Sequence, residues 1–143
     1  MLTFRNGIFA GLSLMLGIAC GSDNATGVSP QLVGTYDITK DQETQQASPQ
    51  TVVDQIALGH VETATFEASG RAIFTDAFQG VTVADTNTWK ATATRLIFTR
   101  TGNPPDTSSY TFVSPTLTVT NPNNFDFGSG AEAADRLIIG VKQ

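Results

Sequence analysis

The chain has 143 residues, a formal net charge of −5, 40 % hydrophobic and 15 % charged residues, one cysteine and one histidine. That suffices for one domain behind a processed leader. The acidity argues against sequence-independent nucleic-acid binding, which needs Lys and Arg to displace counterions, and against electrostatic docking on anionic lipid.

In chain order, Met1–Ala19 reads as a secretory signal. Arg5 and the amino terminus supply a positive n-region, and Ile8 to Ile18 is apolar or small throughout. That run is too short to span a bilayer as a helix and has the length of an h-region. Small Ala19 precedes Cys20 directly, where a signal peptidase cuts. Residues 20–31 are small, polar and unpatterned, as a flexible tether is. Removing the leader removes Arg5, which leaves seven basic and 13 acidic side chains in the remainder.

The run Leu16-Gly17-Ile18-Ala19-Cys20 resembles a bacterial lipobox, in which a small residue precedes an obligatory cysteine. The resemblance implies diacylglyceryl transfer to the Cys20 sulfur, cleavage after Ala19 and acylation of the new amino group. Two acyl chains make anchoring stable, at about 0.8 kcal/mol per buried CH₂. Gly21 and Ser22 follow the cysteine with no aspartate, which by the same resemblance implies the outer membrane. Taken without the resemblance, the residues also fit a secreted protein with an unpaired cysteine, or a short apolar N-terminal helix.

From Leu32 to Gln143 the hydrophobic period is two, not 3.6, with threonine abundant beside apolar residues. Leu32 to Ile38 reads as a first strand and polar Lys40 to Gln50 as a loop. Thr51 to Leu58 reads as a second strand. Val61 to Ala68 alternates with Ala64, Phe66 and Ala68 on one face, and Ser69-Gly70 marks a tight turn into Arg71 to Thr75. Gly80 punctuates before Val81 to Val83. Thr86 to Thr92 follows with Asn87, Trp89 and Ala91 inward, and then Leu96 to Arg100. Gly102 to Ser108 is a loop, because Pro104-Pro105 cannot donate to a ladder. Tyr110 to Val113 and Thr116 to Thr120 form a hairpin about Ser114-Pro115. Asn121 to Gly130 reads as a Gly/Asn-rich loop, Ala131 to Asp135 as one helical turn, and Arg136 to Lys142 as the last strand. The fold class is therefore all-β: an antiparallel barrel of eight or nine short strands, with a β-sandwich as the alternative. Short strands without an aromatic girdle argue against a membrane-spanning barrel.

The order of landmarks resembles the lipocalin-like domains of bacterial lipoproteins. It runs from Gly34-Thr35-Tyr36, with Tyr where that family has Trp, to Thr65-Phe66 and Gly70. Trp89-Lys90 and Leu96-Ile97-Phe98 follow, then Tyr110-Thr111-Phe112 and Leu117-Thr118-Val119-Thr120. The resemblance implies a lipocalin-like barrel over Leu32 to Thr120 and little chemistry.

Catalytic signals are sparse. His60, beside Gly59, would need an orienting carboxylate and a nucleophile to act as a general base. One histidine and no second cysteine for the domain do not make a conventional zinc site. Asp37, Asp41 and Glu43 lack calcium-loop spacing and read as a solvated loop. Phe66, Trp89, Phe98, Tyr110 and Phe112 fall on inward or mixed faces, where they either fill a core or line a cavity for an apolar molecule. Phe74, Phe78, Phe125 and Phe127 lie near turns, as plugs at a barrel mouth or as an exposed patch. The expectation is a non-enzymatic envelope lipoprotein without metal or cofactor. It is held to the membrane through Cys20 and binds a small apolar ligand. The alternative is a structural or protein-interaction lipoprotein with a filled core. The residues name no protein partner.

Overall fold

The computed structural model describes residues 27–47 and 50–143. The leader, Ala19, Cys20 and the first part of the expected tether lie outside the described residues. The rest is all-β. A single 3-10 turn, Pro30–Leu32, leads into nine antiparallel strands. These are β1 Gly34–Gln45, β2 Val52–Asp54, β3 Val61–Phe66, β4 Arg71–Phe78, β5 Val81–Ala91, β6 Arg95–Thr99, β7 Asp106–Val113, β8 Thr116–Asp126 and β9 Ala131–Lys142.

Each strand from β3 to β8 pairs with the next, β3 pairs with the start of β1, and β9 pairs with β1 over most of its length. Eight strands thus close into a lipocalin-like barrel, and β2 adds a short ninth strand along the second half of β1. Closure excludes the sandwich and leaves no open edge on the main sheet.

The alternation expected for β3 holds at Ala64 and Phe66, which are buried, with Thr63 and Thr65 only half-covered, but not at Ala68, which is exposed because the strand ends at Phe66 and the chain turns there. Asn87, Trp89 and Ala91 face inward on β5 as expected, while Thr86, Thr88 and Lys90 face solvent. Gly70 takes φ +84° in the β3–β4 turn, a conformation that favours glycine.

Most strands are longer than the sequence suggested, and several expectations fail. Thr51 to Leu58 is not one strand: β2 covers only Val52–Asp54, and the chain then turns, with the Ile56 N–H bonded to the Asp54 carboxylate and the Leu58 N–H to the Asp54 and Gln55 carbonyls. The expected loop Gly102 to Ser108 ends early, because Asp106 to Ser108 pair with β6 as the start of β7. The polar segment from Lys40 is not a loop, because β1 runs on to Gln45, held by β9 on one side and β2 on the other. Asn121 to Gly130 is not mainly loop, because β8 continues through Pro122 to Asp126. Ala131 to Asp135 is not a helical turn but the start of β9, in continuous register with β8 from Asn121↔Arg136 to Asp126↔Ala131. Pairing with β8 along the whole run, and with β1 at Ala134 and Asp135, outweighs the helix propensity of an Ala/Glu-rich segment, which amounts to only tenths of a kcal/mol per residue. The ordered fold also begins before Leu32. Gly27 exchanges backbone bonds with Ala91, at 3.1 and 2.7 Å.

One end of the barrel is filled. Leu32, Tyr36, Phe66, Ala72, Trp89 and Leu96 form its core. Three aromatic residues with polar tips satisfy them on backbone carbonyls there: Tyr36 donates to Leu32 at 3.0 Å, Trp89 to Glu67 at 3.1 Å and Tyr110 to Thr92 at 2.9 Å.

Candidate functional site

The other end of the barrel is open. A cavity of about 650 Å³ extends inward from the β6–β7 connection, where Asn103 and Pro104 line it. Its floor is aromatic. Phe66 stacks on Phe98, with centroids 6.1 Å apart, and Phe74 stands edge-on to both, at 6.1 and 5.3 Å. Ile38, Leu117, Val119 and Ile138 complete the apolar part. Of the five aromatic residues expected at a ligand site, Phe66 and Phe98 line the cavity. Trp89, Tyr110 and Phe112 sit beneath it in the filled end: Trp89 packs on Phe66 at 5.1 Å and Phe112 on Tyr36 at 6.4 Å. The interior is therefore neither wholly filled nor wholly hollow.

The upper wall is charged, a feature the sequence reading missed. It arises from the ladder pattern. On β3 the inward face of Ala64 and Phe66 extends back to Glu62, and on β4 the face of Ala72 and Phe74 extends on to Asp76. On β5, Asp85 precedes Asn87 and Trp89 on the same face. Following the period of two outward from each buried aromatic residue would have found all three.

On β1 the register breaks. Ile38 pairs with Gly140 and Lys40 with Ile139, so Thr39 is an extra, bulged residue. The bulge turns Asp41 and Glu43 inward, where they are 1 % and 3 % exposed. They are not the solvated loop that composition suggested. Arg136 on β9 lies between them. Its Nε donates to Asp41 Oδ1 at 2.8 Å, its second nitrogen binds the other Asp41 oxygen, and Glu43 Oε1 lies 3.2 Å away. Asn123 donates to the same Glu43 oxygen at 3.1 Å. The Asp41 carboxylate strengthens the hold of Arg136 on its proton. Burial raises the pKa of Glu43 despite the Asn123 bond and the Arg136 charge.

Beside this cluster on the adjacent β3, Glu62 is pushed up to about 7, first by burial and then by the charge of, and a side-chain hydrogen bond with, the neighbouring Asp41 carboxylate. Asp76 accepts a bond from His60 Nδ1, with its two oxygens at 2.9 and 3.0 Å. The His60 ring is half-buried and stacks on Phe78 at 4.1 Å and 8°. His60 thus has the orienting carboxylate that a base would need, and Phe78 covers a face of its ring. Across the mouth, Arg100 pairs with Asp85 and holds that carboxyl below its ordinary range. Asp106 also lines the cavity. Phe125 and Phe127 pack on each other at 5.0 Å near the β8–β9 turn.

The chain matches no protein-family model, no curated protein and no solved structure.

Proposed function

We propose that this chain is a lipid-anchored lipoprotein of the bacterial cell envelope whose barrel is a binding module, not an enzyme, for a small amphiphilic molecule. The observation that carries the ligand reading is the cavity of about 650 Å³ with an aromatic floor and a charged wall. That volume lies within the range of small-molecule sites, about 300–1,000 Å³. The apolar ligand expected from sequence fits the floor of Phe66, Phe74 and Phe98. The wall adds a requirement at the other end. Four carboxylates line it, Glu62, Asp76, Asp85 and Asp106, against Arg100 and Arg136. Both guanidinium groups are engaged, Arg100 by Asp85 and Arg136 by Asp41 and Glu43. The remaining field is negative, so the polar end of the ligand is uncharged or cationic, and a free carboxylate is disfavoured.

The test uses residues 21–143 purified natively without the cysteine. Organic extraction and mass spectrometry should recover an amphiphile. A fluorescent alkylamine should bind more tightly than the matching fatty acid, and Phe98→Asp should abolish binding of both. A clean extract together with no binding of either probe overturns the ligand reading.

The anchor reading, with its outer-membrane location, rests on the lipobox resemblance at Cys20 and on the lack of aspartate after it. Cys20→Ala should abolish labelling with a palmitate analogue and leave the leader uncleaved. Continued labelling of that variant overturns it.

A further inference from the structure

We propose that His60, Glu62 and Asp76 form a site for a first-row divalent metal ion on one wall of the cavity mouth.

The ladder brings the ligands together. Glu62 and Asp76 are direct partners in the β3–β4 register, and both point inward. Cross-strand partners on one face have Cβ atoms about 4.5–5.5 Å apart, which lets two carboxylates converge on one ion. Gly59, at φ +101°, reverses the chain just before β3 and delivers His60 over Asp76. One donor atom from each of the three residues lies within 4.8 Å of the other two. Around an ion with N and O ligands at about 2.0–2.2 Å, adjacent donors stand about 3 Å apart and opposite donors about 4.2 Å apart. The His60–Asp76 separation of 2.9 Å already matches the adjacent spacing. Ion binding would replace the shared proton of that pair by a metal and needs only a small inward shift of Glu62.

Charge argues for the same place. Asp41, Glu43, Glu62 and Asp76 gather on three adjacent strands, and one guanidinium, that of Arg136, is spent on the first two. Among the described residues Glu62 has no ion-pair partner. A half-buried group of this kind takes up a proton or a cation.

The donor set narrows the ion. One imidazole suits zinc, iron, nickel or copper, and two carboxylates extend the range toward manganese. It is not the set of three or four N/S ligands that structural zinc prefers. Three protein ligands leave open coordination positions, and Glu62 and Asp76 face the cavity, so those positions are available to water or to a donor on a bound molecule. The Phe78 ring fixes the imidazole plane, as an outer contact does for a metal-ligating histidine.

The proposal stands apart from the ligand reading: a bound ion with no extractable amphiphile supports it, and a bound amphiphile with no ion overturns it. The experiment uses the purified full chain in detergent, stripped with chelator and titrated with Co²⁺ and then Zn²⁺. One ion per chain should bind, giving a Co²⁺ absorption band that Zn²⁺ removes. Calorimetry in two buffers of different ionisation enthalpy should register proton release at neutral pH. His60→Ala and Glu62→Gln should each weaken binding by about tenfold or more while leaving the circular dichroism of the barrel intact. Asp76→Asn serves as a third variant should either of those unfold. The absence of stoichiometric binding overturns the proposal, and so does binding that survives the loss of His60 and of Glu62.

Discussion

Replacing Arg136 with methionine removes the one cation shared by two buried carboxylates. Asp41 and Glu43 depend on it differently. Asp41 receives both arms of the guanidinium, whereas Glu43 has a single contact at 3.2 Å and a bond from Asn123. The second Glu43 oxygen is buried with no partner. Breaking a buried pair by removing one member costs about 3–5 kcal/mol, because the other charge is left behind. Here two charges are left behind, but each can take up a proton. The native state of the variant then binds protons that the unfolded chain releases near ordinary carboxylate pKa values. By linkage its stability falls as pH rises above that range. Arg136→Met should therefore lose about 3–4 kcal/mol at pH 7.5 in urea unfolding, and clearly less at pH 5. The triple variant with Asp41→Asn and Glu43→Gln removes charge and partner together and should recover most of the loss. A loss below about 1 kcal/mol at pH 7.5, or a triple variant no better than the single, would refute the argument that Arg136 compensates buried charge.

Thr39 and Gln42 are both single residues of β1, yet their deletions should differ. Without Thr39 the ladder becomes regular with Asp41 and Glu43 still inward, at a cost of about 1–2 kcal/mol for the lost Thr39–Ile139 bond and altered twist. Without Gln42, Glu43 turns away from Arg136 at a cost of about 3 kcal/mol or more, and equal costs in urea unfolding would contradict the register. Gly140→Val should lower the melting temperature by the equivalent of about 1–3 kcal/mol, since a Cβ there meets Tyr36 Cβ and Ile38 Cδ1 at 3.2 Å. An unchanged melting temperature would mean that β1 and β9 are less tightly apposed. Glu62 holds its proton up to about pH 7 in the fold, against an ordinary glutamate value of 4.5. The native state is then the more protonated one between those values, so in chelator-treated protein stability falls as pH rises through that window and stays lowered above it. For a half-exposed carboxyl, solvent screening limits this to about 1–2 kcal/mol. Glu62→Gln should flatten the slope, and an unchanged slope assigns it to another group.

The barrel was legible because its lower half obeys the simple pattern. Ala64 and Phe66 on β3 and Asn87, Trp89 and Ala91 on β5 alternate with threonines, and Ser69-Gly70 and Ser114-Pro115 mark turns where turns occur. The upper half was not legible for a physical reason. Its inward positions carry Asp41, Glu43, Glu62, Asp76, Asn121, Asn123 and Arg136, so the second half of β1 and the end of β8 are polar on both faces and keep no hydrophobic period. A polar run such as Lys40 to Gln45 has the composition of a loop, and only pairing with β9 and β2 makes it a strand. The same limit hid the site. The expected aromatic residues at Phe66 and Phe98 are the floor of the cavity, whereas the charges above them come from segments that read as solvent-facing.

The bulge at Thr39 decides the sign of the site. A regular β1 would keep Ile38 inward and then present Lys40, Gln42 and Thr44 to the interior, with Asp41 and Glu43 turned outward. Lys40 would join Arg136 and Arg100 inside, and Arg136 would need Glu62 or Asp76 as its partner. The cavity wall would then be close to neutral and the His60–Glu62–Asp76 group already compensated. With the bulge, Arg136 is held by Asp41 and Glu43, and Lys40 lies on the β2 side, 3.9 Å from Asp54. Glu62 and Asp76 are left facing the cavity without a guanidinium. One unpaired residue in the ladder thus converts a balanced interior into one that attracts cations. Both the preference for a neutral or cationic ligand and the metal site depend on that register. Moving the bulge should change both together. Deleting Thr39 and Lys40 together, which places Asp41 directly after inward Ile38 and so turns Asp41 and Glu43 outward, should weaken Co²⁺ binding and erase the preference for the alkylamine over the fatty acid. If the metal and ligand preferences survive in a folded variant of this kind, the field in the cavity is not set by Asp41, Glu43 and Arg136.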